Sequence, residues 1–192
     1  MGQIHPTLEP VLNVSPEQLG LMSFGPRREI IAALANDANL SARELAARLR
    51  RPVTGLYRHL GLLLKAGLIR ESGQRLGQKR PETLFSLTFA TFSATEATDT
   101  PEGRMAMAQA ASRYAGAATR KLSRAIDTGA ARFVGSEANV GFSVTDLQLD
   151  HAGLAELHRL LRQLIIRVRK LRVPEREGVE TVTVTVIYAP DP

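Results

Sequence analysis

Arg43, Arg50, Arg51, Arg58, Lys65, Lys79 and Arg80, with Val53, Thr54 and Tyr57 among them, are the residues whose types and spacing suit a chemical task. That task is gripping a polyanion. Ten lysines and arginines fall between Ser41 and Arg80 against two acids, Glu44 and Glu71, an excess of eight on a chain whose formal net charge is only +6. Charge concentrated in this way is the electrostatic footprint of a nucleic-acid site. Guanidinium and ammonium groups hold phosphates and set the register, while side chains on an inserted helix meet base edges.

Other chemistry finds little support. The chain has no cysteine, which excludes disulfide staples, thiolate metal sites and cysteine nucleophiles together. Its four histidines are His5, His59, His151 and His158. The last two stand two helical turns apart, too far to chelate one ion as a pair one turn apart would. No serine sits in a nucleophile turn, and Gly73 and Gly77 match no phosphate loop. No metal, no cofactor and no enzymatic activity are therefore expected. A different class, a protein-interaction module whose basic face is incidental, is separated from a DNA binder by whether it shifts random duplex in a salt-sensitive way.

The elements that must position the basic residues are legible from spacing. Ser41 and Glu44 form a capping box, and Leu45, Ala46 and Leu49 give one apolar face to a helix of about two turns. Pro52 stops it and opens a second helix, 52–66. There Leu56, Leu60, Leu63 and Leu64 face inward and Thr54, Tyr57, Arg58, Gly61 and Lys65 face out. The outer face is the one that fits a major groove, with Val53, Thr54, Tyr57 and Arg58 as groove contacts. Gly67 suits a left-handed C-cap, after which strands 68–75 and 83–88 flank a tip running from Leu76 to Pro81. Lys79 and Arg80 on this tip reach phosphates or the minor groove, while Arg43, Arg50 and Arg51 only position.

Ser41-Ala42-Arg43-Glu44-Leu45-Ala46, Leu56-Tyr57-Arg58-His59-Leu60, Lys65-Ala66-Gly67-Leu68-Ile69 and Lys79-Arg80-Pro81 together resemble the winged helix-turn-helix of ArsR-type bacterial transcriptional regulators. Pro26 to Ile31 is similar to the first helix of that family. The resemblance covers residues 18–88 and implies double-stranded DNA as partner. Pro52 and Gly55 stand where such proteins often place Ser and Thr. The cysteines of the family's metal sensors are missing.

Around this segment the expected organisation is α+β, a winged helix-turn-helix followed by an α/β dimerisation or effector module. Residues 1–17 read as an arm, 18–88 as the DNA-binding domain, 89–101 as a linker and 102–192 as the second module. Before the basic segment, Ser15-Pro16 opens a short turn, and Pro26 starts a helix with Ile30, Ile31, Leu34 and Ala35 inward. In the second module, an alanine-rich helix, 102–127, carries Met107, Ala111, Tyr114, Ala118, Leu122 and Ala125 on one stripe. That stripe suits either a core contact or a dimer contact. A second helix begins at Asp150, with Leu154, Leu157, Leu161, Leu164, Val168 and Leu171 at heptad spacing, and Pro174 ends it. Period-two runs at 142–149 and 181–188 predict two strands, paired in parallel across that helix.

A short recognition helix reads few base pairs, so a homodimer is expected. The roughly 100 residues beyond the wing invite a small organic effector, with Tyr114, Phe142 and Tyr188 either lining its pocket or packing a core. The N-terminus lacks the features of a secretory leader, and no run approaches the length of a membrane span. The expected location is the cytoplasm, with no membrane partner.

Overall fold

A computed structural model of the protein describes residues 11–77, 80–173 and 178–190. The chain divides into two compact units, one of 1–119 with 185–192 and one of 120–184.

The first unit is a small winged helical domain. Strand β1 (Leu12–Asn13) leads into α1 (Pro16–Ser23), whose cap is the reciprocal pair of Ser15 and Gln18. The amide of Gln18 also donates to the Ala66 carbonyl at 2.9 Å, tying this first helix to the end of the fourth. Helix α2 (Gly25–Asn36) buries Ile30, Ala33 and Leu34. The inward residue expected at Ala35 is instead Ala33, and Ala35 is exposed. Strand β2 (Leu40–Ser41) precedes α3 (Ala42–Leu49), and after a corner comes α4 (Val53–Lys65). Strands β3 (Ile69–Leu76) and β4 (Pro81–Leu87) form the wing hairpin, and β2 pairs antiparallel on the far side of β4. The register slips between Glu71 and Gly73, a bulge that uses the positive φ of Gly73 at 145°.

One core unites these elements. Leu45, Leu56, Leu60, Leu63, Leu68, Ile69 and Phe85 are all buried in it, so the apolar stripes of α3 and α4 close against the wing sheet. The expected linker, 89–101, carries structure of its own. Its strand β5 (Phe92–Ser93) pairs parallel with β1, and a single helical turn at Glu96–Asp99 buries Ala97. Helix α5 (Pro101–Asp127) follows, with Gly103, Ala110 and Ala117 buried. Ala106, Met107 and Tyr114 pack against the same winged-domain core, which makes this stretch of α5 a core helix. The buried line runs through Gly103, Ala110 and Ala117, beside the stripe expected from Ala111 and Ala118.

The second unit differs from the expectation. It contains the end of α5 and one further helix, α6 (His151–Lys170), capped by Asp150, which accepts from the Gly153 amide at 2.7 Å. Pro174, expected to end that helix, lies outside the described residues, and the last helical residue is Lys170. Neither predicted strand forms: residues 141–149 and 179–190 join no ladder, and the parallel crossover is absent. Phe142 and Val144 are 80% and 86% exposed. Alternation selects a face for a strand but supplies no neighbour, and without a ladder an extended run is not a sheet. Within this unit Glu180 accepts from Arg132 at 2.7 Å and from Asn139 at 3.0 Å. Among the described residues none beyond Ala117 is buried. The class is thus α+β, with a winged helix-turn-helix domain followed by a helical C-terminal region.

Candidate nucleic-acid interface

Both ends of α3 are fixed by local chemistry. At its start the Glu44 carboxylate accepts from the Ser41 amide at 2.8 Å while the Ser41 hydroxyl accepts from the Glu44 amide at 3.3 Å. Burial would push the Glu44 carboxyl up, but the bond from the Ser41 amide and the guanidinium of Arg75 outweigh it and hold the group below its ordinary value. Arg50 ends the helix in the left-handed region, φ 50° and ψ 47°. There its amide donates to the Ala47 carbonyl, and that of Arg51 reaches back to Ala46 at 3.0 Å. This is the bond pattern of a Schellman turn, with arginine where glycine is the common choice.

Helix α4 ends on the same pattern with glycine in place. Gly67 has φ 69°, its amide donates to Leu64, and the Leu68 amide donates to Leu63 at 3.0 Å. Between these ends α4 turns Leu56, Leu60 and Leu63 inward, each at most 2% exposed. Its outer face carries Thr54, Tyr57, Arg58, Gly61 and Lys65, all exposed, as the spacing implied. Tyr57 is 59% exposed, an unfavourable position for an aromatic ring. Val53, expected among the groove contacts, packs partly against the core at the first turn.

The free cations are fewer than the count of charges implied. Arg43 pairs with Glu82 at 3.3 Å, Arg51 with Glu29 at 2.9 Å, Arg75 with Glu44 at 2.7 Å, and Arg48 with Asp37. Three of those four carboxylates lie outside residues 41–80, which is why a local count missed them. Arg50, Arg58, Lys65 and Arg80 meet no carboxylate among the described residues, and they lie at the corner, along α4 and on the wing. Lys79 and Gln78 lie outside the described residues. The wing tip closes on Gly77, whose amide donates to the Arg80 carbonyl at 3.1 Å. A Cβ on Gly77 would sit 2.6 Å from that oxygen, so only glycine fits the turn. Leu76 beside it is 88% exposed.

His59 stands on the flank of α4 with its ring 6.1 Å from that of Phe24 and its Nδ1 buried without a partner. Burial first, then the guanidiniums of Arg27, Arg58 and Arg51, push its pKa below the ordinary value. The imidazole is neutral at pH 7. Arg27 was not singled out by spacing, because the turn that brings it beside α4 is set by α1 and α2.

The residues weighed for an effector pocket have separate surroundings. Tyr114 packs on the winged-domain core, and burial raises its phenol above the ordinary value against the pull of Arg28. Phe142 and Tyr188 are exposed. Among the described residues no group of three or more His, Cys, Asp or Glu is placed to hold a metal ion, and no helix is long and apolar enough to cross a membrane.

Comparison with known proteins adds one family. A model described as a helix-turn-helix domain matches residues 26–72, from the start of α2 into the first strand of the wing. No curated protein matches the chain. Among solved structures, reduced HlyU from Vibrio cholerae N16961 is 27% identical over 46% of this chain and 77% of that one, with a TM-score of 0.30. The matched residues include α3, the corner and α4, and so residues 26–72 form a helix-turn-helix domain.

Proposed function

We propose that the protein is a sequence-specific, double-stranded DNA-binding transcriptional regulator of the ArsR type, acting as a homodimer. The observation that carries this is the outer face of α4, where Thr54, Tyr57, Arg58 and Lys65 stand in solvent, together with the exposed Arg50 of the corner and Arg80 of the wing, which meet no carboxylate among the described residues. A helix with this exposed face fits a major groove, and an adjoining basic hairpin fits the neighbouring backbone. In this reading residues 18–88 bind DNA and 102–192 serve dimerisation. Arg58 reads a base, while Arg50, Lys65, Lys79 and Arg80 meet phosphates.

Two copies are needed because one short helix selects too few base pairs. Among the described residues none beyond Ala117 is buried, on a segment that carries a leucine stripe, which supports a second copy as the missing neighbour. Control by a small organic ligand rests on the length of the segment beyond the wing.

The test is equilibrium binding to specific and random duplexes over a range of salt. Wild type should bind both with a steep salt dependence. Arg58→Ala should lose about 1 to 3 kcal/mol on its preferred site and less on random sequence. An equal loss on every sequence would make Arg58 a phosphate contact. No binding to any duplex would favour the protein-interaction module instead.

A further inference from the structure

A second group of cations lies at the His59 flank of α4, next to Arg58, and folding alone brings it together. Arg27, in the first turn of α2, donates from Nε to the Leu21 carbonyl at 2.9 Å, and its guanidinium carbon sits 4.4 Å above the centre of the Phe24 ring. Those two contacts fix the plane of the fork. Its terminal nitrogens meet no carboxylate among the described residues. Phe24 in turn neighbours His59 of α4, and Arg113 of α5 comes in beside them to donate to the Ser23 hydroxyl at 3.0 Å. Burial, then Arg113 and then Arg58, depress the Arg27 guanidinium, so like charges crowd here.

Such a cluster costs the free protein repulsion that a bound anion would remove. A pre-oriented guanidinium fork matches the paired oxygens of a phosphate. The phosphates within reach are those of a duplex whose groove holds α4, since the cluster borders that helix. We propose that Arg27 seats one backbone phosphate of the bound duplex, with Arg58 and Arg113 supplying the surrounding positive field. This rests on the DNA-binding reading above. It adds α2 to the interface, so that both the wing and the helix that precedes the helix-turn-helix position the protein on the backbone.

The experiment is the salt dependence of binding to random duplex, followed by fluorescence anisotropy, for the full chain and for Arg27→Gln. The variant should bind all sequences roughly tenfold more weakly and lose about one unit of the log–log slope. Arg27→Lys, which keeps the charge without the fork, should keep the slope and bind several-fold more weakly. It also serves as the measured variant if thermal unfolding shows that Arg27→Gln is not folded, and wild-type affinity in it would then overturn the seat. Wild type that binds no duplex would end the DNA-binding reading itself. Wild type that binds steeply while a folded Arg27→Gln keeps the full slope would overturn the seat alone. Inorganic phosphate is the second probe. If it stabilises wild type but not Arg27→Gln while the duplex slope is unchanged, the seat belongs to a free anion and not to DNA.

Discussion

His59 gives the domain a pH dependence of a definite sign. Its folded pKa lies below the ordinary value, because burial and three neighbouring arginines oppose its charge. The unfolded chain therefore takes up the proton first as pH falls, and stability drops as pH passes down through about 6.5. Thermal unfolding should show this loss between roughly pH 7.5 and 5.5. His59→Gln should lose less, and an identical loss in the variant would place the acid-sensitive group elsewhere. Glu44 acts in a lower window, since its lowered pKa gives stability that disappears only as pH falls below the ordinary carboxylate range. Arg50 is a second case of one residue under two demands. Its left-handed backbone costs roughly 1 kcal/mol or more in a residue with a Cβ, partly offset in any glycine variant by the entropy of the freer unfolded chain. Arg50→Gly should raise the melting temperature slightly while weakening DNA binding, and a fall in both would mean that the side chain also supports the fold. The capping box of Ser41 and Glu44 was visible in the sequence, because the partners are three residues apart, whereas Ser15 was read as opening a helix without its partner Gln18. The ion pairs of Arg43 and Arg51 were not, because Glu82 and Glu29 come from other elements.

At the level of elements, helical spacing resolved α3 and α4 well because their buried leucines face a single core, and the C-cap glycine marked where α4 stops. Short or partnerless elements were less legible. Strands β1 and β5 are two residues each and exist only because they pair with one another, which no local pattern reveals. The period-two valines at 182, 184 and 186 misled for the opposite reason, a strong local pattern with no adjoining strand. For α5 Met107 and Tyr114 of the expected stripe do pack on the core, but the small residues on the buried line are Ala110 and Ala117, each one position before the expected Ala111 and Ala118. Gly103 is the tightest point of that line, since a Cβ there would lie 1.3 Å from the Ala97 carbonyl oxygen. Gly103→Ala must push the helical turn at 96–99 away from α5. We expect a loss of about 1 to 3 kcal/mol, measured by denaturant unfolding, whereas Gly61→Ala on the open face of α4 should be near neutral or stabilising. Equal effects at the two sites would mean that α5 is not packed as described.

For the whole molecule the decisive contrast is between a first unit with one continuous core and a second unit in which none of the described residues is buried. Apolar side chains left in water are unfavourable by about 25 cal/mol per Å², so the exposed Leu154, Leu164 and Leu171 of the stripe, with Leu161 half-buried between them, favour association. Sedimentation should find a dimer at micromolar concentration. Leu161→Glu should shift it toward monomer while leaving the winged domain folded, and Ala118→Arg should do less. A monomer in wild type, free and on DNA, would overturn the homodimer. The same absence of burial past Ala117 bears on the lifetime of the protein in a cell. If the protein pairs as proposed, a copy that has not met its partner would expose an unprotected tail to proteases and a paired copy would hide it, so degradation would act selectively on surplus single chains. Limited proteolysis of a dilute sample should accordingly trim the protein to a resistant fragment ending near the middle of α5, and cleavage should slow as concentration rises. Intact pairs would then be the long-lived form, and the amount of regulator would be set by turnover of the unpaired chain as well as by its synthesis.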